Sequence, residues 1–211
     1  MRPPPLRQPR TAAFSLIELI VVIGIVAILL GLLMPTLSRV RQHAKQVTCQ
    51  SNMRQVGQLL LVYANTYGGF IFPLGAEDEQ PRLGMWVDAP QRWPVLVKGL
   101  ERWNHPLLLC PQDDEPVEEH SYALNWYFYH HAVRFHTTNL AGRKPGDVVL
   151  MGEKRAEANN YFIGSDNDYD HAAEEFKHGL RLGSNYLFLD LHVAPLPPSA
   201  NVRRAYDPWG P

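Results

Sequence analysis

Ala13-Phe14-Ser15-Leu16-Ile17-Glu18-Leu19-Ile20 opens an apolar run that reaches Leu37, and Glu18 is the only charged residue from Phe14 to Leu37. The run holds 24 residues, about 36 Å as a helix at about 1.5 Å per residue. The hydrocarbon core of a bilayer is about 30 Å thick, so this stretch is long enough to span it with Glu18 near one end. A charge at the bilayer centre costs about 2.5–3.5 kcal/mol on insertion scales. Close to the interface the carboxylate reaches water at lower cost, and snorkelling of this kind is the plain account of Glu18.

Upstream, residues 1–13 carry Arg2, Arg7 and Arg10 among Pro3, Pro4, Pro5 and Pro9. Prolines remove donors and clash with a helical backbone, so this segment reads as a basic leader outside the fold. In a secretory signal the small-residue cleavage site follows the apolar run. Here the candidate site, Ala13, precedes it. A cut between Ala13 and Phe14 leaves the apolar helix on the mature chain. It also creates a cationic amine at Phe14, one helical turn from Glu18. Among packed copies a neighbour's amine can meet that carboxylate at low dielectric, where an unpaired charge is most costly. Arg39, Arg41, Lys45 and Arg54 follow the span, so basic residues flank it on both sides and the positive-inside rule does not choose an orientation.

Ala13-Phe14-Ser15-Leu16-Ile17-Glu18 resembles the processing site of type IV prepilins and type II secretion pseudopilins. The resemblance implies cleavage between Ala13 and Phe14 by the membrane prepilin peptidase, with N-methylation of Phe14. It implies that Glu18 docks subunits, and that Pro35 sits where many such helices carry a proline. The chain departs from the pattern at Ala13, where glycine is usual. The leader would stay in the cytoplasm and the body would lie in the periplasm, anchored in the inner membrane or carried on a surface filament. The implied partners are the peptidase, copies of this chain and other pseudopilins, the assembly platform and its ATPase, and lipid. Gly24 and Gly31 form a small-residue seam that permits close helix approach.

Beyond the span the composition is globular, with 45% apolar and 19% charged residues and a formal net charge of -1. That balance lacks the basic footprint of a nucleic-acid-binding protein. Cys49, Met53, Val56, Leu60, Tyr63 and Tyr67 recur at helical spacing, which predicts an amphipathic continuation over 38–67. Gly57 is tolerated within it at about 1 kcal/mol. Gly68-Gly69 supplies the stop, because glycine adopts the left-handed cap without strain. The expected organisation is a leader at 1–13, a membrane or filament-core helix at 14–37, its continuation at 38–67, an α+β domain at 68–200 and a loose tail at 201–211. In the α+β domain the long helix packs on a small antiparallel sheet with long loops.

Cys49 and Cys110 are the two cysteines. An oxidising compartment would join them, and closing that loop stabilises by about 4 kcal/mol in the chain-entropy model. Two buried free thiols are the alternative. The segment 70–119 is rich in proline, with Trp86, Trp93 and Trp103 as core plugs. Leu107-Leu108-Leu109-Cys110, Ser121–Phe128, Val148–Lys154 and Tyr161–Ile163 read as strands, the first stopped by Pro111. Asn185 to Val193 alternates, with Leu187, Leu189, Leu191 and Val193 on one face and Tyr186, Phe188, Asp190 and His192 on the other. Pro195, Pro197 and Pro198 then end it, and His178–Ser184 is the turn before it.

No cofactor is required by these motifs. His130, His131 and His136 match no zinc spacing. Asp166, Asp168 and Asp170 place hard oxygens together as calcium requires, but the glycine and terminal glutamate of an EF-hand are missing, and a solvated Asx-rich turn has the same composition. Major pseudopilins of type II secretion bind calcium in a C-terminal loop, so the resemblance keeps calcium at these acids as an expectation.

Cys49-Gln50-Ser51-Asn52-Met53-Arg54-Gln55, Tyr63-Ala64-Asn65, Cys110-Pro111, Ser121-Tyr122-Ala123-Leu124-Asn125 and His178 with Asn185–Val193 resemble a large pseudopilin-like group. Its C-terminal signature is a histidine, nine residues and then Asp-Gly. Here the spacing from His178 to Asp190 is longer, and Leu191 replaces the glycine. The expectation is a non-enzymatic filament subunit of a type II secretion or type IV pilus-like machine, in bulk or at the tip. The alternative is a membrane-tethered periplasmic enzyme or binding protein using Asp190, His192, His178 and the acids near Asp168. No nucleophile elbow, phosphate loop or zinc box supports that alternative.

Overall fold

The computed structural model describes residues 16–71, 94, 105–113, 116, 120–130, 134–135, 140, 142–158, 162–163 and 176–197. The chain divides into two units, at residues 1–41 and 42–211. Trp86, Trp93, Trp103, His131, His136 and the tail at 201–211 lie outside the described residues.

Helix α1 spans Leu16–Thr66 and continues past Pro35. Within the first unit its large apolar side chains stand in the open, from Val26 at 47% exposure to Leu16 at 76%. A helix apolar on all sides and uncovered is suited to lipid or to copies of itself. By length and composition it can cross a membrane.

In the second unit α1 becomes amphipathic. Cys49, Met53, Val56, Leu60 and Tyr63 are buried, as the spacing predicts. Tyr67 departs from the stripe. It is exposed and stacks on Tyr63 with ring centroids 4.5 Å apart. The helix ends as its glycines dictate. Gly68 takes φ 68°, and the Gly69 N–H donates to Ala64 O at 2.6 Å, closing a Schellman-type cap. Gly57 has a function that propensity does not reveal. A Cβ there would lie 2.9 Å from Leu187 Cδ2 and 3.2 Å from Leu191 Cδ2, so the missing side chain lets the helix approach the sheet.

The sheet is formed by β1 (Tyr122–Asn125), β2 (Val149–Glu153), β3 (Phe162–Ile163), β4 (Ser184–Phe188) and β5 (Val193–Leu196). Their order is β3-β1-β2-β4-β5. The β1/β2, β2/β4 and β4/β5 pairs are antiparallel. The short β3 pairs with β1 in parallel, an exception to the expected antiparallel sheet. One sheet face joins the α1 stripe in a core that includes Leu124, Leu150, Leu187 and Leu189. The other buries Ala123, Val149, Ile163, Tyr186 and Phe188. A bulge between Val149 and Met151 shifts the β2 register, which puts Leu150 and Met151 in the same cluster despite their adjacency.

Several strand expectations are corrected. Leu107–Leu109 is not a strand. Pro106–Leu108 is a 3-10 turn capped by His105 Nδ1, which accepts from the Leu107 N–H at 3.2 Å. Proline pre-set for the first helical position wins over the apolar run. Ser121–Phe128 is a strand only to Asn125, where the Asn125 Oδ1 acceptor of Tyr127 N starts the short helix α2, Trp126–His130. Asn185–Val193 is not one strand but the β4–β5 hairpin. The chain reverses at Asp190, whose Oδ1 accepts from His192 N at 3.1 Å, and the Phe188 N–H donates to His192 O at 2.9 Å. Pro195 does not end the strand. It lies inside β5, paired opposite Asn185, as proline is tolerated on an outer strand.

Candidate functional site

β2 runs apolar from Val149 to Met151 and then ends on Glu153, whose side chain is fully buried. A carboxylate without water needs donors. His178 Nε2 lies 2.9 Å from Oε1. The Asn185 backbone N–H donates to Oε2 at 2.8 Å, and Asn185 Nδ2 donates to Oε1 at 3.1 Å. The helix secures the arrangement, because Gln50 Nε2 donates to Asn185 Oδ1 at 2.9 Å.

Cys49 and Cys110 are joined by a disulfide, with Cα atoms 5.0 Å apart. The bridge sits against the same group, with Cys110 Sγ 3.9 Å from His178 Nε2. Asn52 Nδ2 donates to Leu109 O at 2.9 Å and to Pro106 O at 3.3 Å. The Cys110 N–H donates to Ser121 Oγ at 2.9 Å. One turn of α1, from Cys49 to Asn52, therefore binds the Cys110 segment covalently and through Asn52, and binds β4 through Gln50.

The turn at His178 is shaped by glycine. Gly179 and Gly183 have φ 92° and 65°, and the His178 N–H donates to Gly183 O at 3.0 Å. Lys177 Nζ meets Asp113 Oδ1 at 2.5 Å, ion-pairing the turn to the Cys110 segment. His178 is thereby held inward at 4% exposure, and its Nδ1 has no hydrogen-bond partner among the described residues. Cys49, Cys110 and Glu153 are at 0–1%, so the cluster lies beneath the surface of the folded chain rather than in an open cleft. Its chemistry is the locking of helix to sheet, with a donor set of two sulfurs, an imidazole and a carboxylate.

Burial, and next the neighbouring Tyr67, pushes the Tyr63 phenol above its ordinary range. Burial, and next Glu153, does the same for Tyr122. Asn52 opposes the shift there, while Tyr122 Oη has no hydrogen-bond partner among the described residues. Both phenols stay neutral in the folded chain where the unfolded chain ionises, near pH 10. Their contribution is complete below about pH 10 and is lost as pH rises through the elevated folded values. Melting of the full chain in detergent is expected to be flat to about pH 9.5 and to fall above it. A melting temperature unchanged up to about pH 11 would contradict this assignment.

Asp190 and His192 are brought together, but by the hairpin turn and not on a common strand face. Asp190 Oδ1 lies 2.5 Å from His192 Nδ1, and both side chains are 45% exposed. His192 also stacks on Phe188 at 4.2 Å. Leu191, in the turn after Asp190, takes φ 68°. A glycine there needs no strain, whereas leucine accepts about 1–2 kcal/mol and packs against the core in return. His178 is not beside an exposed acid pair but within the buried cluster. Glu18, Gly24, Gly31 and Pro35, the residues expected to serve assembly, lie on α1. A Cβ at Gly24 or Gly31 would meet nothing within 4 Å in the single chain. Ala13, Phe14, Asp166, Asp168 and Asp170 lie outside the described residues.

Residues 9–34 match the prokaryotic N-terminal methylation motif. This prepilin-type motif supports a type IV pilin-like protein processed by prepilin peptidase, and with the uncovered apolar helix it fits a membrane-anchored chain. No curated protein and no solved structure matches the chain. Residue-by-residue reading missed the partnership of Gln50, Asn52, Glu153 and Asn185. The usable signal was a lone acid closing the apolar run of β2.

Proposed function

We propose that this chain is a pseudopilin-like filament subunit without enzymatic activity, serving type II secretion or a type IV pilus-like machine. The observation carrying the reading is an uncovered apolar helix that begins within a methylation motif. Inserted with its leader in the cytoplasm, the chain loses residues 1–13 to the peptidase and gains a methylated Phe14 amine. Glu18 of one copy neutralises the Phe14 amine of the next inside the apolar bundle. Gly24 and Gly31 let neighbouring helices approach closely. The platform protein and its ATPase draw copies out of the membrane, and the disulfide-locked body rides on the stack.

The test is the intact mass of the protein from membranes of a host with a working peptidase. A mature chain starting at methylated Phe14 is expected; retention of Met1–Ala13 there rejects processing. Glu18→Ala is expected to be cut normally and to fail in chemical crosslinking into multimers. Multimers at wild-type yield would remove the charge-pairing step.

A further inference from the structure

Sulfur atoms of Cys49 and Cys110, a carboxylate oxygen of Glu153 and a ring nitrogen of His178 all lie within 4.8 Å of one another. We propose that the reduced form of this chain binds one zinc-class divalent ion through these four side chains. The disulfide and the metal are then alternative fillings of one buried cluster. This inference does not depend on filament assembly.

The dimensions fit. Zinc bonds of about 2.3 Å to sulfur and about 2.0–2.2 Å to nitrogen and oxygen give tetrahedral edges of about 3.8 Å between sulfurs and about 3.4 Å between nitrogen and oxygen. His178 Nε2 is already 3.9 Å from Cys110 Sγ and 2.9 Å from Glu153 Oε1. Loading parts the two sulfurs, widens the imidazole–carboxylate contact, and draws in those atoms of the four that stand farther apart than a tetrahedral edge, all of them already within 4.8 Å. The ligands come from α1, from the segment after the 3-10 turn, from the end of β2 and from the His178 turn, so folding itself assembles them. Asn185 holds the carboxylate through two hydrogen bonds, the kind of outer support that orients a metal ligand.

The chemistry balances with a named reductant. A dithiol or phosphine delivers two electrons, and with two protons the disulfide becomes two thiols. Zinc then displaces one proton from each thiol, leaving two thiolates, a neutral imidazole and a carboxylate around the ion. A disulfide oxidant that removes two electrons from the thiolates re-forms the bridge and releases the ion.

The probe is cobalt(II), titrated into the full chain in detergent after phosphine reduction. One cobalt per chain is expected, with thiolate charge-transfer and tetrahedral visible bands that zinc abolishes. Cys110→Ser should lose the charge-transfer signature of a two-thiolate site, and His178→Ala and Glu153→Gln should weaken binding at least about tenfold. A folded reduced chain without these bands overturns the proposal. So do the same bands in the oxidised chain, or unchanged affinity in folded His178→Ala and Glu153→Gln. If those variants do not fold, X-ray absorption of the zinc-loaded wild type decides: two sulfur and two light neighbours support the site, and any other ligand set rejects it.

Discussion

Glu153→Ala should lower the stability of the body by about 3–5 kcal/mol, the usual result of deleting one member of a buried pair. The substitution removes one side chain and strands several donors. His178 Nε2, the Asn185 N–H and Asn185 Nδ2 all bond this carboxylate. Each buried group left without a partner costs about 1–3 kcal/mol, and the sum is not additive because the cavity relaxes. Glu153→Gln retains the shape and one carbonyl acceptor, so its loss should be clearly smaller. Denaturant unfolding of the full chain in detergent measures both. A double-mutant cycle with His178→Ala should show a coupling of about 0.5–3 kcal/mol. Glu153→Ala within about 0.5 kcal/mol of wild type would place it among ordinary surface changes and refute the lock.

The second large effect is at Gly183. A Cβ there would sit 1.9 Å from Leu196 O, 2.8 Å from Leu196 C and 3.0 Å from Pro197 Cα. Every one of these neighbours is backbone, so no side-chain rotation relieves the clash. The residue also holds φ 65°. Left-handed backbone costs a non-glycine residue about 1–2 kcal/mol, and overpacking costs about 1–3 kcal/mol. Gly183→Ala should therefore lose about 2–5 kcal/mol, by breaking the Ser184↔Leu196 end of the hairpin and loosening the His178 turn bonded to Gly183 O. Gly24→Ala is the control, since a Cβ there meets nothing within 4 Å. Equal unfolding midpoints for Gly183→Ala and wild type would show that the close approach does not exist in solution.

Sequence patterns carried the helix further than the sheet. The stripe from Cys49 to Tyr63 and the Gly68-Gly69 stop are local signals, set by periodicity and by glycine's access to the left-handed region. β2 was legible because a short apolar run bounded by polar residues has few other uses. Asn185–Val193 misled because the alternation runs unbroken through a reversal that Asp190 makes with its own side chain. Leu191 gives no warning of positive φ, as a glycine would have. At Leu107–Leu109 an apolar triplet is ambiguous between strand and turn, and Pro106 was the better guide. The cluster around Glu153 depends on residues far apart in the chain, and no periodicity reports such meetings.

Pro195 has a consequence for crowding. β5 is the outermost strand of the described sheet beyond β4, and an outer strand with free amide groups is a template on which other molecules can zip up. A proline in its middle takes one donor away from that rim and leaves a ring where an incoming backbone would lie. Bodies that met side by side at high local density would thereby be discouraged from fusing into amyloid-like ribbons. Under the proposed function, contact between copies would then fall to the greasy stem.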